Sequence, residues 1–259
     1  MPLHYAMRAM RKVPEITVYF WIIKLLTTAM GESTSDYLVY QINPYVAVAL
    51  GCIGLAAALT LQLLVRRYVA WVYWLAVVMV AVFGTMAADV THVVLGIPYL
   101  VSTAFFASAL AIIFVTWYAV EKTLSIHTIY SCRREMFYWA TVIATFALGT
   151  AAGDMTASTL RLGYFPSFVL FAVLFILPAL AYWLFGLHEI AAFWFAYVVT
   201  RPLGASFADW MGKPYLGGLG LSDEKVALVL TILIIGFVGY LTITRKDMKG
   251  EQLSSSDES

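Results

Sequence analysis

Four aspartates, Asp36, Asp89, Asp154 and Asp209, stand inside segments otherwise apolar enough to cross a lipid bilayer. A carboxylate in hydrocarbon costs about 2.5 to 3.5 kcal/mol even on the lenient insertion scale, so four of them are a large burden to carry for packing alone. Five residues before each stands a glycine (Gly31, Gly84, Gly149, Gly204), and fifteen before each a tryptophan (Trp21, Trp74, Trp139, Trp194). The chain holds only 17 glycines and 8 tryptophans, so this joint spacing marks an internal repeat in four copies. At 100° per residue, the position four before each aspartate lies about 40° from it on the same helical face. Glu32, Thr85, Thr150 and Ala205 occupy it. Such a face offers an oxygen-rich shell, with Glu32, Asp36, Asp89, Asp154 and Asp209 as cation-binding or proton-coupling groups and Thr85 and Thr150 as secondary ones. Oxygen donors without cysteine suit hard cations such as Mn²⁺, Mg²⁺ or Ca²⁺. Carboxylates gathered on one axis need compensation from protons, a bound cation, or internal cations such as Lys24 and Arg201.

Other residues around this face carry weaker signals. His92, three after Asp89, shares its face and is either a further ligand or an ordinary polar contact. Arg201, next to Pro202, has two roles open: pairing with a repeat carboxylate, or snorkelling toward the cytoplasm. Pro202 should kink its helix. The repeat glycines lie about 140° from the aspartates, where a missing side chain favours close helix packing. The tryptophans read as interface anchors or packing residues. Gly217, Gly218 and Gly220, in the 212–220 loop, read as a connector, with a lid as the alternative. Cys52 and Cys132 fit no disulfide framework or zinc spacing, and no nucleophile elbow, phosphate loop or metalloprotease motif is present. An enzyme is therefore not expected, nor any cofactor beyond a bound divalent cation.

These side chains must be positioned by membrane helices. The composition is 62% hydrophobic and 12% charged, against about 25% charged in soluble domains. Eight stretches of membrane-spanning length cover 16–38, 45–65, 71–95, 99–120, 136–160, 165–185, 189–211 and 226–243, joined by short connectors such as Asn43-Pro44 and Gly96-Ile97-Pro98. The first, with Lys24, Glu32 and Asp36, is too long and polar for a cleavable signal and is expected to stay. The expectation is an all-α polytopic membrane protein of eight transmembrane helices, arranged as four parallel two-helix repeats with pseudo-fourfold internal symmetry. A basic cytoplasmic segment (1–12) would precede a membrane domain (13–245) with repeats at 13–66, 67–122, 133–186 and 187–245, and a disordered cytoplasmic tail (246–259) would follow. Eleven cations, among them Arg11, Lys12, Arg66, Arg133 and Lys246, fall on one side against Arg161, Lys213 and Lys225 on the other, which puts both termini in the cytoplasm. A net charge of +1 argues against nucleic acid as a partner. Lipid, a small inorganic cation and protons remain as partners; no residue pattern specifies an oligomeric state.

The runs Lys12-Val-Pro-Glu-Ile-Thr-Val-Tyr-Phe-Trp through Glu32-Ser-Thr-Ser-Asp36, and Thr200-Arg-Pro-Leu-Gly-Ala-Ser-Phe-Ala-Asp209, resemble the bacterial membrane-protein family defined by four copies of a short repeat of unknown function. The likeness covers about residues 12–245 and implies a multi-pass bacterial inner-membrane protein, without implying an activity. Repeat two departs with Ala87-Ala88 before its aspartate and repeat four with Ala205, so the four copies are not equal as ligands. The expected function is a transporter, most simply an exporter coupled to inward proton flow, because metal and protons would compete for the same carboxylates. The alternative is a non-transporting scaffold or sensor whose carboxylates cap helix ends and hold helices together.

Overall fold

The computed structural model describes residues 11–248, which are helical and contain no strand. Eight long helices follow in order: α1 (Val18–Gln41), α2 (Pro44–Leu64), α3 (Ala70–Asp89), α4 (Tyr99–Glu121), α5 (Cys132–Asp154), α6 (Tyr164–Phe185), α7 (Glu189–Gly212) and α8 (Asp223–Thr244). Local chemistry sets several ends. The Thr17 hydroxyl accepts from Phe20 N, and the Asn43 side chain accepts from Tyr45 N with Pro44 at the first helical position. Ser131 caps α5, and left-handed Gly186 closes α6. Seven of these helices are long and apolar enough to cross a membrane; α1 has the length but carries Lys24, Glu32 and Asp36.

The odd-numbered helices form the interior in closed order, α1 against α3, α3 against α5, α5 against α7, and α7 against α1. Each even-numbered helix packs outside the next odd one: α2 on α3, α4 on α5, α6 on α7, α8 on α1. The repeat glycines make this closeness possible. A Cβ on Gly84 would sit 2.7 Å from Phe146 Cβ, and one on Gly204 would sit 2.9 Å from the Ala29 backbone nitrogen. Gly31 faces Ala81 and Gly149 faces Arg201 and Pro202 in the same way, so each glycine meets the following interior helix eight residues before that helix's aspartate, α7 meeting α1. Aromatic contacts repeat the cycle at the other end: Phe20 with Trp74, Tyr73 with Trp139, Tyr138 with Trp194 and Phe193 with Trp21, at centroid separations of 5.7, 5.7, 6.3 and 5.7 Å. Trp74, Trp139 and Trp194 are buried core residues, and Trp21 is half-buried against the same cluster. The outer helices turn Ile53, Phe105, Val115, Val173, Ile176, Ile232 and Ile235 outward, an apolar surface suited to lipid.

Two of the expected helical stretches, 71–95 and 136–160, are not α-helical to the end. Directly after Asp89 and Asp154 the backbone widens into π-helical turns, Val90–Val94 and Met155–Thr159. Their wide hydrogen bonds match, with Leu95 N reaching Val90 O (3.0 Å) and Leu160 N reaching Met155 O (2.9 Å). Helix α7 runs through Pro202 to Gly212 without ending there, and Pro202 packs on Gly149. The 213–222 connector is tied down: Leu219 N, Leu221 N and Ser222 N donate to the Trp210, Met211 and Gly212 carbonyls (2.7, 2.9 and 3.1 Å), satisfying the end of α7. At the opposite end, the segment before α1 is strapped across three connections: Lys12 N bonds Ile129 O, Tyr68 N bonds Arg11 O and Glu15 N bonds Asp247 O (3.2, 3.0 and 3.1 Å).

Candidate functional site

Because the axis-facing positions recur every fourth residue, the interior carries its polar groups in layers. The terminal layer, at the ends of α1, α3, α5 and α7, holds the four aspartates. Asp209 is buried, while Asp36, Asp89 and Asp154 are half-buried. Lys213, one residue past α7, places Nζ 2.8 Å from Asp36 Oδ2 and 2.7 Å from Asp209 Oδ1. Burial opposes the Lys213 charge, but Asp209, Asp36 and Glu32 outweigh it and raise its pKa well above the ordinary lysine value. Ligand atoms of Glu32, Asp36 and Asp209 lie within 4.8 Å of one another, the one such grouping among the described residues. Asp89 lies within electrostatic reach of Glu32, Asp36 and Asp154. Neither the Asp89 nor the Asp154 carboxylate has a hydrogen bond or ion pair among the described residues.

One turn deeper, Arg201 fills the layer. Its side chain is fully buried, and Nη2 reaches Glu32 Oε2 at 2.6 Å, Thr150 Oγ1 at 2.7 Å, and Thr85 Oγ1. Nη1 donates to Thr28 O at 3.0 Å, Nε has no partner, and the guanidinium lies 5.2 Å from the Phe146 ring centroid. The Thr85 hydroxyl donates to Ala81 O (3.0 Å) while it accepts from Arg201. Of the two roles open to Arg201, the structure has the pairing one, and the partner is Glu32 rather than an aspartate. Below it Lys24, 1% exposed, sets its ammonium 4.2 Å from Phe146 and 4.1 Å from Tyr197, on ring faces rather than on an acid.

The structure thus brings Glu32, Asp36, Asp209, Thr85, Thr150 and Arg201 together. His92 has local work: Nδ1 is 3.1 Å from Ile97 O, Nε2 is 3.4 Å from Ser102 Oγ, and its ring lies on Tyr99. Lys213 was missed by sequence reasoning, although its signal was present as a lysine four residues after Asp209, the spacing of a helical ion pair. Only repeats two and three carry a threonine two after the aspartate, and Thr91 and Thr156 donate to the carbonyls of Ala88 and Gly153 (2.6 and 2.7 Å); Thr28 and Thr200 make the same bond inside regular helix, so it does not by itself set the π turns. The two aspartates followed by π turns are the two without an ion pair.

A family model matches the chain four times, at residues 19–68, 72–123, 137–186 and 192–247, under the description Repeat of Unknown Function (DUF347). The chain belongs to this family. Each matched repeat holds one Trp, one Gly and one Asp of the spacing described above, so the family's unit is the two-helix unit that builds the bundle. No curated protein and no solved structure matches.

Proposed function

We propose that the protein is a membrane transporter of a small hard divalent cation such as Mn²⁺, Mg²⁺ or Ca²⁺, in the export direction with protons as counter-ions. The observation that carries this reading is the imbalance around the axis. Glu32, Asp36, Asp89, Asp154 and Asp209 face Arg201 and Lys213, with Lys24 farther down, and the carboxylates left over among the described residues are Asp89 and Asp154. Two anionic groups without partners in a bilayer match one divalent cation or two protons, and taking up one releases the other. The closed contact order of the interior helices supports eight crossings with pseudo-fourfold symmetry, α1 being packed among α3, α7 and α8. The basic residues before α1 and in the α2–α3 and α4–α5 connections support a cytoplasmic strap end in a bacterial inner membrane.

A second reading has its own observation. Arg201 on Glu32 and Lys213 on Asp36 and Asp209 are clamps between α1 and α7, as a scaffold would need. Reconstitution into liposomes separates the two. The parent protein should move at least one of these ions, and Asp89→Asn and Asp154→Asn should fold normally but lose transport. Parental transport in both variants, or no transport of any divalent ion by the parent, would leave only the scaffold.

A further inference from the structure

Lys213 stands in the tightest carboxylate cluster among the described residues, on the Asp36–Asp209 side of the ring that also holds Asp89 and Asp154. Its ammonium touches two of the three carboxylates whose ligand atoms cluster within 4.8 Å, so it already fills the place between Asp36 and Asp209. Two cations at contact distance between the same pair of acids repel strongly away from bulk water, so the lysine and a divalent ion exclude one another. The lysine also has somewhere to go. It lines a cavity of about 320 Å³ at that end of the bundle, together with Tyr37, Tyr40, Tyr215, Asp223 and Glu224. The Asp223 carboxylate lies against Gly212, the residue before Lys213, and within electrostatic reach of it. Four methylenes of stem let the ammonium swing while the backbone stays capped on Asp209 O through its own N–H at 3.0 Å.

We propose that Lys213 is a tethered counter-ion: it holds the Asp36–Asp209 side of the ring when the site is empty and is displaced into the cavity, toward Asp223 and Glu224, when a divalent cation binds. This rests on the reading of the carboxylate ring as a cation site. It makes Lys213 a determinant of affinity and release, since a cargo ion must outcompete the lysine to enter and is helped out by its return.

The test is calorimetric titration of the purified full chain with Mn²⁺, Mg²⁺ and Ca²⁺ in turn, paired with transport in liposomes. Lys213→Met removes the competitor, so affinity should tighten by about tenfold or more while turnover falls; Lys213→Arg should stay near the parent. Removing the alternative acids, with Asp223→Asn and Glu224→Gln together, should weaken binding because the lysine then has no other partner. A purely structural clamp predicts the reverse for Lys213→Met, weaker binding, and no effect of the acid pair. Unchanged or weaker binding in folded Lys213→Met, or unaltered affinity in the acid-pair variant, overturns the counter-ion role. If Lys213→Met fails to fold, the acid-pair variant decides alone. A parent that binds none of the three ions overturns the cation site itself and this role with it, whereas a parent that binds while both variants match it overturns the counter-ion role alone.

Discussion

At the residue scale, Arg201 belongs to repeat four and reaches one side-chain acceptor in each of the other three repeats, Glu32, Thr85 and Thr150, and the Thr28 carbonyl besides. Charged and fully buried, it is held because both terminal nitrogens find acceptors, Nη1 one and Nη2 three, while Nε has none. Removing one partner of such a pair leaves the other charge buried and costs about 3 to 5 kcal/mol. Arg201→Met and Glu32→Gln should each lower the unfolding temperature in detergent sharply, while the double variant should lose clearly less than the two losses added. Simple additivity would show that the pair is not coupled. Asp89→Asn and Asp154→Asn break no bond, so their unfolding temperatures should stay close to the parent, whereas Asp209→Asn weakens the Lys213 clamp and should fall below it.

At the element scale, the interior helices approach one another through their glycines. Inserting a methyl where backbone or Cβ atoms already lie 2.6 to 2.9 Å away, as at Gly84 and Gly204, forces helices apart, a change that costs about 1 to 3 kcal/mol in packed cores. Gly84→Ala and Gly204→Ala should therefore destabilise, and Gly236→Ala and Gly239→Ala, on α8 with open space around them, should not. Equal unfolding temperatures for all four would contradict the close-packed interior. The strap end has a pH signature. Burial raises the Asp247 carboxyl above its usual value, against the Tyr68 hydroxyl that donates to it at 2.5 Å. The folded chain holds that proton more tightly than the unfolded one, so stability from this position is present at acid pH and is lost as pH rises through the raised value. The unfolding temperature of Asp247→Asn relative to the parent should thus climb as pH rises above the ordinary carboxylate range; a flat difference would mean that Asp247 is ionised without cost.

At the scale of the whole molecule, the proposed exchange of a divalent ion for protons is tested by the work it would do. An inward proton gradient across proteoliposomes should accumulate cargo against its own gradient on the proton-rich side, and Asp36→Asn or Glu32→Gln should weaken the coupling. An ion that moves only downhill would eliminate exchange while keeping the cation site. Topology is tested separately: reporters fused at Lys246 should read cytoplasm and those inserted at Gly163 the opposite side. A mismatch in either would remove the arrangement of four two-crossing repeats.

Periodicity made the membrane class, the four-copy repeat and the shared face of Glu32, Thr85, Thr150 and the aspartates legible in the sequence, because a 3.6-residue helix converts spacing directly into facing. The glycines could be assigned to packing for the same reason, since they lie on a different face. Which cation meets which carboxylate was not legible. Arg201 lies 169 positions from Glu32 and Lys213 lies 177 from Asp36, and only the closure of α7 onto α1 brings them within ion-pair distance. The unequal fates of four equivalent aspartates were likewise decided in three dimensions. Repeat symmetry delivers four carboxylates to one end of the bundle, and Lys213, just after α7, reaches two of them and leaves Asp89 and Asp154 without an ion pair among the described residues.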